Sequence, residues 1–62
     1  MTETRWTPEA IKALRLRLGL TREDVAVRLN VRATTVYRWE SGRAVPLRVF
    51  ARQLDALAEA AR

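Results

Sequence analysis

Neither cysteine nor histidine occurs anywhere in this 62-residue chain. That removes the disulfides that staple many small folds, every thiol nucleophile, and nearly all ligand sets for zinc or another transition metal. Glycine and proline occur only twice each, and β-branched residues nowhere alternate with polar ones over a long run, which argues against hairpins and sheets. No apolar stretch approaches the roughly 20 residues that a membrane-spanning helix needs, and no charged-then-apolar leader marks export. A glycine-rich phosphate loop is missing too. The seven carboxylates fall mostly at helix caps or on solvated helix faces, so catalysis has little to work with. The expectation is one cytoplasmic, non-enzymatic domain, residues 1–62, with no cofactor, no metal, no small-molecule ligand and no membrane partner.

What the chain has in excess is arginine. Twelve basic residues stand against seven acidic ones, a net charge of +5, and eleven of the twelve are Arg. Such an excess on so small a body attracts polyanions, and the planar guanidinium forms two-pronged hydrogen bonds with phosphates and guanine edges. A GC-rich genome alone would also enrich Arg and Ala, so placement has to decide.

Met1–Arg5 reads as a short flexible arm. A first helix is expected from Pro8 to about Leu18, with Thr7 as cap, Pro8 at the first helical position and Trp6 with Ile11 as a hydrophobic staple. Ile11, Leu14 and Leu18 line its inner face, and Gly19 stops it. A second, brief helix follows at "LTREDV", where Thr21 and Asp24 form a capping box and Leu20 and Val25 the staple. It ends near Leu29, where Asn30 tolerates a left-handed turn. The third helix spans Ala33 to Glu40, with Arg32 at a cap position it cannot fill; "SGRAVP" ends it. The fourth is expected from around Pro46 to the end, with Leu47, Phe50, Leu54, Leu57 and Ala61 on one stripe. The fold class is all-α with four helices.

The third helix carries only two plainly apolar long side chains, Val36 and Trp39. Projected at 100° per residue, these lie inward, with Arg32 and Glu40 near them, while Thr34, Tyr37, Arg38 and Ser41 face outward. An outer face that is short at its start and long at Tyr37 and Arg38 suits entry into a major groove. Glu40 points inward at a helix C-terminus, where burial and dipole both disfavour a carboxylate. Arg15 lies beside Ile11 and Leu18 on the inner side of the first helix. The two are expected to pair.

Two short helices, a turn of about four residues and the small Ala26 between them form the layout of a helix-turn-helix, residues 21–40. "LTREDVAVRLNVRATTVYRWESG" resembles the helix-turn-helix of the phage-repressor and Cro type, the Xre family, across about Ile11 to Pro46. The resemblance implies a lambda-repressor-like fold and a sequence-specific, double-stranded-DNA-binding transcriptional regulator. It further implies a small bacterial or phage repressor, nucleoid-associated and dimeric on a palindromic operator. The family's base-reading positions correspond here to Ala33, Thr34 and Arg38, and Tyr37 can offer its hydroxyl to a base or a phosphate. Relatives often carry Gln where this chain has Arg22 and Ala33, so readout is expected to lean on Arg38 toward guanine and on methyl contacts with thymine. The family also often has a basic residue and a Glu at Arg15 and Glu40. Phosphate contacts are expected from Thr21 and Arg22 at the start of the second helix, from Arg32, and from Arg43 and Arg48 after the third. Leu16, Val27, Val49, Ala56 and Ala60 lie off the inner stripes and are candidates for a homodimer surface. The competing classes are a protein-interaction adaptor on the same fold and a non-specific DNA-binding module.

Overall fold

The structure is a computed structural model that describes residues 5–61. Four α-helices follow in order: α1 (Pro8–Arg17), α2 (Arg22–Leu29), α3 (Ala33–Glu40) and α4 (Arg48–Ala60). No strand occurs among the described residues. The first two helices start on side-chain caps. The Thr7 hydroxyl accepts the Ala10 N–H at 3.2 Å, with Pro8 at the position where a missing N–H costs nothing. At α2 the box is complete: Thr21 Oγ1 accepts from the Asp24 N–H at 3.0 Å, and the Asp24 carboxylate accepts the Thr21 N–H at 2.9 Å. α3 has no side-chain cap, because Arg32 occupies that position.

Three successive helix ends use one device. The residue after the last turn adopts a left-handed conformation at Gly19 (φ +71°), Asn30 (φ +59°) and Gly42 (φ +81°). Each such turn returns two N–H groups to the helix it closes: Leu20 to Arg15 and Gly19 to Leu16, Val31 to Ala26 and Asn30 to Val27, Arg43 to Arg38 and Gly42 to Trp39. These paired bonds satisfy carbonyls that a helix C-terminus otherwise leaves open. The first two turns also reverse the chain within three or four residues, which holds α1, α2 and α3 close enough to share a core.

That core is Ile11 and Leu14 from α1, Val25, Ala26 and Leu29 from α2, Val36 and Trp39 from α3, and Leu54 from α4. Trp6, Leu20 and Val31, each preceding a cap, are half-buried against it, so the two expected staples, and a third that Val31 forms with Val36, have their outer member in contact with apolar neighbours. Ala26 is buried where α2 meets α3. A larger side chain there would push the two helices apart.

The fourth helix departs from expectation at its start. It begins at Arg48 rather than around Pro46, and Leu47 is its extended N-cap residue (φ −65°, ψ 162°). Pro46 is buried in the connecting segment and does not form a first helical turn. Leu47 would share the stripe of Phe50, Leu54 and Leu57 only if it were helical. Extended, it turns off that stripe and is 68% exposed. Ala61, expected on the stripe, is the exposed C-cap residue. Of the arm, Met1–Thr4 lie outside the described residues. Arg5 Nη2 donates to Asp55 Oδ1 at 2.8 Å, and Trp6 Nε1 donates to the same oxygen at 2.9 Å.

Candidate nucleic-acid interface

The face of α3 is set by how the helix is seated. Val36 is fully buried and Trp39 nearly so, with the Trp39 ring tilted against Phe50 at 5.6 Å between centroids and 47° between planes. That contact ties the end of α3 to α4. With these two anchors inward, Thr34, Tyr37, Arg38 and Ser41 are exposed. Ala33 is half-buried and packs against the core, so it offers a groove less than its neighbours do. The backbone under Arg38 is held firmly, since its carbonyl accepts the Ser41 hydroxyl at 3.3 Å and the N–H groups of Arg43 and Ala44 at 2.9 and 3.2 Å. Its side chain stands in solvent, as do those of Arg32, Arg43 and Arg48, and none of the four forms an ion pair among the described residues. Four uncommitted guanidinium groups flank or occupy one eight-residue helix and the segment after it.

Beneath this face lies a buried charge cluster. Arg15 Nε donates to Glu40 Oε2 at 2.7 Å and its Nη2 to Oε1 at 3.2 Å, while its Nη1 donates to the Leu20 carbonyl at 3.1 Å. The side chains of Arg15 and Glu40 are 11% and 3% exposed. The hydrogen bonds it donates to Glu40, and then the charge of Glu40, hold the Arg15 guanidinium above its ordinary basicity, against the burial that would lower it. The two-pronged geometry matches a planar guanidinium to a planar carboxylate. It also joins the C-terminal turn of α3 to the end of α1.

Glu40 has a second cation that the sequence does not announce. Arg22 Nε donates to Glu40 Oε1 at 3.2 Å, and the Arg22 guanidinium carbon sits 5.3 Å from the centre of the Tyr37 ring. Arg22 is thus engaged within the protein, at 41% exposure, where an open phosphate clamp was expected. The start of α2 is less open to anions as well. The N–H groups of Thr21 and Asp24 are taken by the capping box, and the Asp24 carboxylate occupies the helix end. What Thr21 retains for a phosphate is its hydroxyl hydrogen. The one forward signal for the Arg22 contact is that α2 begins where α3 ends in space, a relation that follows from the turn geometry and not from any spacing in the chain.

Thr21, Arg22, Ala33, Thr34 and Tyr37 line an open groove of about 520 Å³ between the first turns of α2 and α3. The described residues contain no cluster of carboxylates placed to hold a metal ion, and none of the described helices is long and apolar enough to cross a membrane. No curated protein and no solved structure matches the chain. A family model described as a helix-turn-helix domain matches residues 9–62, and the chain belongs to that family, one of Xre/Cro-like DNA-binding domains.

Proposed function

We propose that this domain is a sequence-specific transcriptional regulator of double-stranded DNA, a small bacterial or phage repressor that acts as a dimer on a palindromic operator. The observation that carries the reading is the seat of α3. Two buried anchors and a buried ion pair fix the helix while Thr34, Tyr37 and Arg38 stay exposed. In this reading α3 enters the major groove, Arg38 reaches a guanine edge, and Thr34 meets a thymine methyl, with Ala33 close behind. Arg32, Arg43 and Arg48, with the Thr21 hydroxyl, meet phosphates on either side and set the register without choosing sequence. The uncapped start of α3 supports an anion near Arg32, since its first N–H groups have no side-chain acceptor. Exposed Leu16, Val27 and Val49, at 58%, 80% and 55%, support a protein partner, which a second copy supplies on a two-fold operator.

Selection of bound duplexes from a random pool tests this reading. The expected product is a pair of inverted half-sites about 34 Å apart, one helical turn. A single unpaired half-site would count against the dimer. Replacing Arg38 by Ala should then weaken binding to the selected duplex by about 1–3 kcal/mol and blur one base preference. Replacing Arg43 by Ala should weaken selected and random duplexes alike and flatten the salt dependence by about one charge. Equal losses on both duplexes for Arg38→Ala would sink the assignment of that residue. Binding to random duplex as tight as to any selected one would leave a non-specific module, and no binding at low salt would leave an adaptor.

A further inference from the structure

The groove between α2 and α3 ends in a chain of contacts that begins well inside the protein. The Leu20 carbonyl, at the turn closing α1, accepts from Arg15; Arg15 grips Glu40 with two bonds; Glu40 accepts from Arg22; and the Arg22 guanidinium lies over the face of Tyr37. Each link restrains the next. Glu40 is almost fully buried and cannot follow solvent. The Arg22 head group is therefore held by a fixed carboxylate, and a cation over a ring face fixes the ring as well as attracting it. Tyr37 itself is 48% exposed, so packing alone restrains its ring less than it would a buried one.

We propose that Arg22 is a positioning residue for sequence readout, holding the Tyr37 ring so that its hydroxyl meets the duplex from one direction, and that it is not a phosphate contact. This rests on the DNA-binding reading above. A cation that follows a phosphate is untied, whereas Arg22, though 41% exposed, is held. Here Nε is turned inward to Glu40, and the guanidinium spans the space between α2 and Tyr37. What Arg22 delivers to the interface is an arrangement rather than a charge.

The test compares Arg22→Ala, Arg22→Lys and Tyr37→Phe with the parent on two probes, the duplex selected from a random pool and a random-sequence duplex of the same length, at several salt concentrations. For Arg22→Ala the expected result is a preference for the selected duplex reduced about tenfold, at the base position where Tyr37→Phe also acts. The slope of log affinity against log salt should stay unchanged. Adding Arg22→Ala to Tyr37→Phe should then cost little more. Arg22→Lys, which keeps the cation near the ring and Glu40 but loses the planar fork, should restore part of the preference. In the free protein the ring signals of Tyr37, the single tyrosine, should move in Arg22→Ala and return partway in Arg22→Lys, with the helical circular dichroism of all variants retained. A salt slope smaller by about 0.9 in Arg22→Ala, with base preference intact, would mark a phosphate contact and overturn the proposal. So would ring signals that do not move. Failure of the parent to hold either duplex at low salt is a different outcome, which removes the DNA-binding reading and this proposal with it.

Discussion

Two carboxylates in this molecule do similar work in different surroundings. Glu40 at the end of α3 and Asp55 in α4 each gather two donors from distant parts of the chain: Arg15 and Arg22 in one case, Arg5 and Trp6 in the other. Distances are comparable, with the short contact at 2.7 Å in the first and 2.8 Å in the second. Exposure is not. The Arg15 and Glu40 side chains are 11% and 3% exposed, against 76% and 41% for Arg5 and Asp55. In the first site water cannot replace a lost partner, so the cost of breaking the pair is the cost of a stranded charge. In the second, water takes over. The same chemistry therefore secures α3 firmly and the entry of the chain lightly.

The largest effect is expected where that comparison is broken from the buried side. Replacing Arg15 by Met leaves Glu40 with Arg22 alone in a site it can barely share with solvent. Unfolding in urea should show a loss of about 3 kcal/mol, a large part of the stability of a domain of this size. Replacing Glu40 by Leu in that background should recover most of the loss, because an apolar pair needs no charge balance. A double variant no more stable than Arg15→Met would mean that the pair contributes through packing shape and not through charge. The recovered protein should still show the reduced sequence preference expected of Arg22→Ala, since Arg22 would have lost the carboxylate that holds it.

How far this could be read from the residues alone depends on the range of each interaction. Helix starts and stops are written within about four residues, and Thr7, Thr21, Gly19, Asn30 and Gly42 all act where their chemistry places them. Those turns fix how α1, α2 and α3 fold back, so an inward Arg15 and an inward Glu40 had few other partners. Pro46 misled because it is equally at home in a first helical turn and in an extended connection. The structure uses the second, burying the ring and exposing Leu47. The contacts of Arg22 with Glu40, and of Arg5 and Trp6 with Asp55, span 18 to 50 positions. Each depends on where two helices end up relative to one another, which no local pattern encodes. The candidate reading face was accessible for the opposite reason: it consists of what the two anchors of α3 leave over.

An intermediate effect is expected at Asn30, the one left-handed position among the three helix ends that lacks glycine. It belongs to the turn between α2 and α3, on the firm side of the comparison. Asn30→Val should cost about 1–2 kcal/mol in unfolding experiments, since a β-branched side chain fits that conformation worst. Asn30→Gly should be close to neutral, relieving the backbone while loosening the unfolded chain. Equal losses for both variants would show that the Asn30 side chain, rather than its backbone angle, is what the turn requires.

The smallest effect belongs to the exposed site, and pH gives it a sign. Asp55 is held below the usual carboxylate range, chiefly by the hydrogen bond from Arg5 and then by that from Trp6. A folded-state value below the unfolded one means that the unfolded chain takes up its proton first as acid is added. The contribution is therefore full above the unfolded value of about 3.9 and is lost as pH falls through the folded value. Asp55→Asn should melt slightly below the parent at pH 7, by less than either change above, because an exposed pair is weak and screened by salt. That gap should close only as pH falls through the lowered folded value, where the parent carboxylate is protonated too, and should narrow in 1 M salt at neutral pH. Asp24, lowered by the N–H and hydroxyl of Thr21, adds acid sensitivity of the same sign but belongs to α2, so it should persist unchanged in Asp55→Asn. A gap between parent and variant that stayed constant as acid titrates every carboxylate would show that Asp55 acts through its shape, and the contrast with Glu40 would then lie in packing rather than in solvent access.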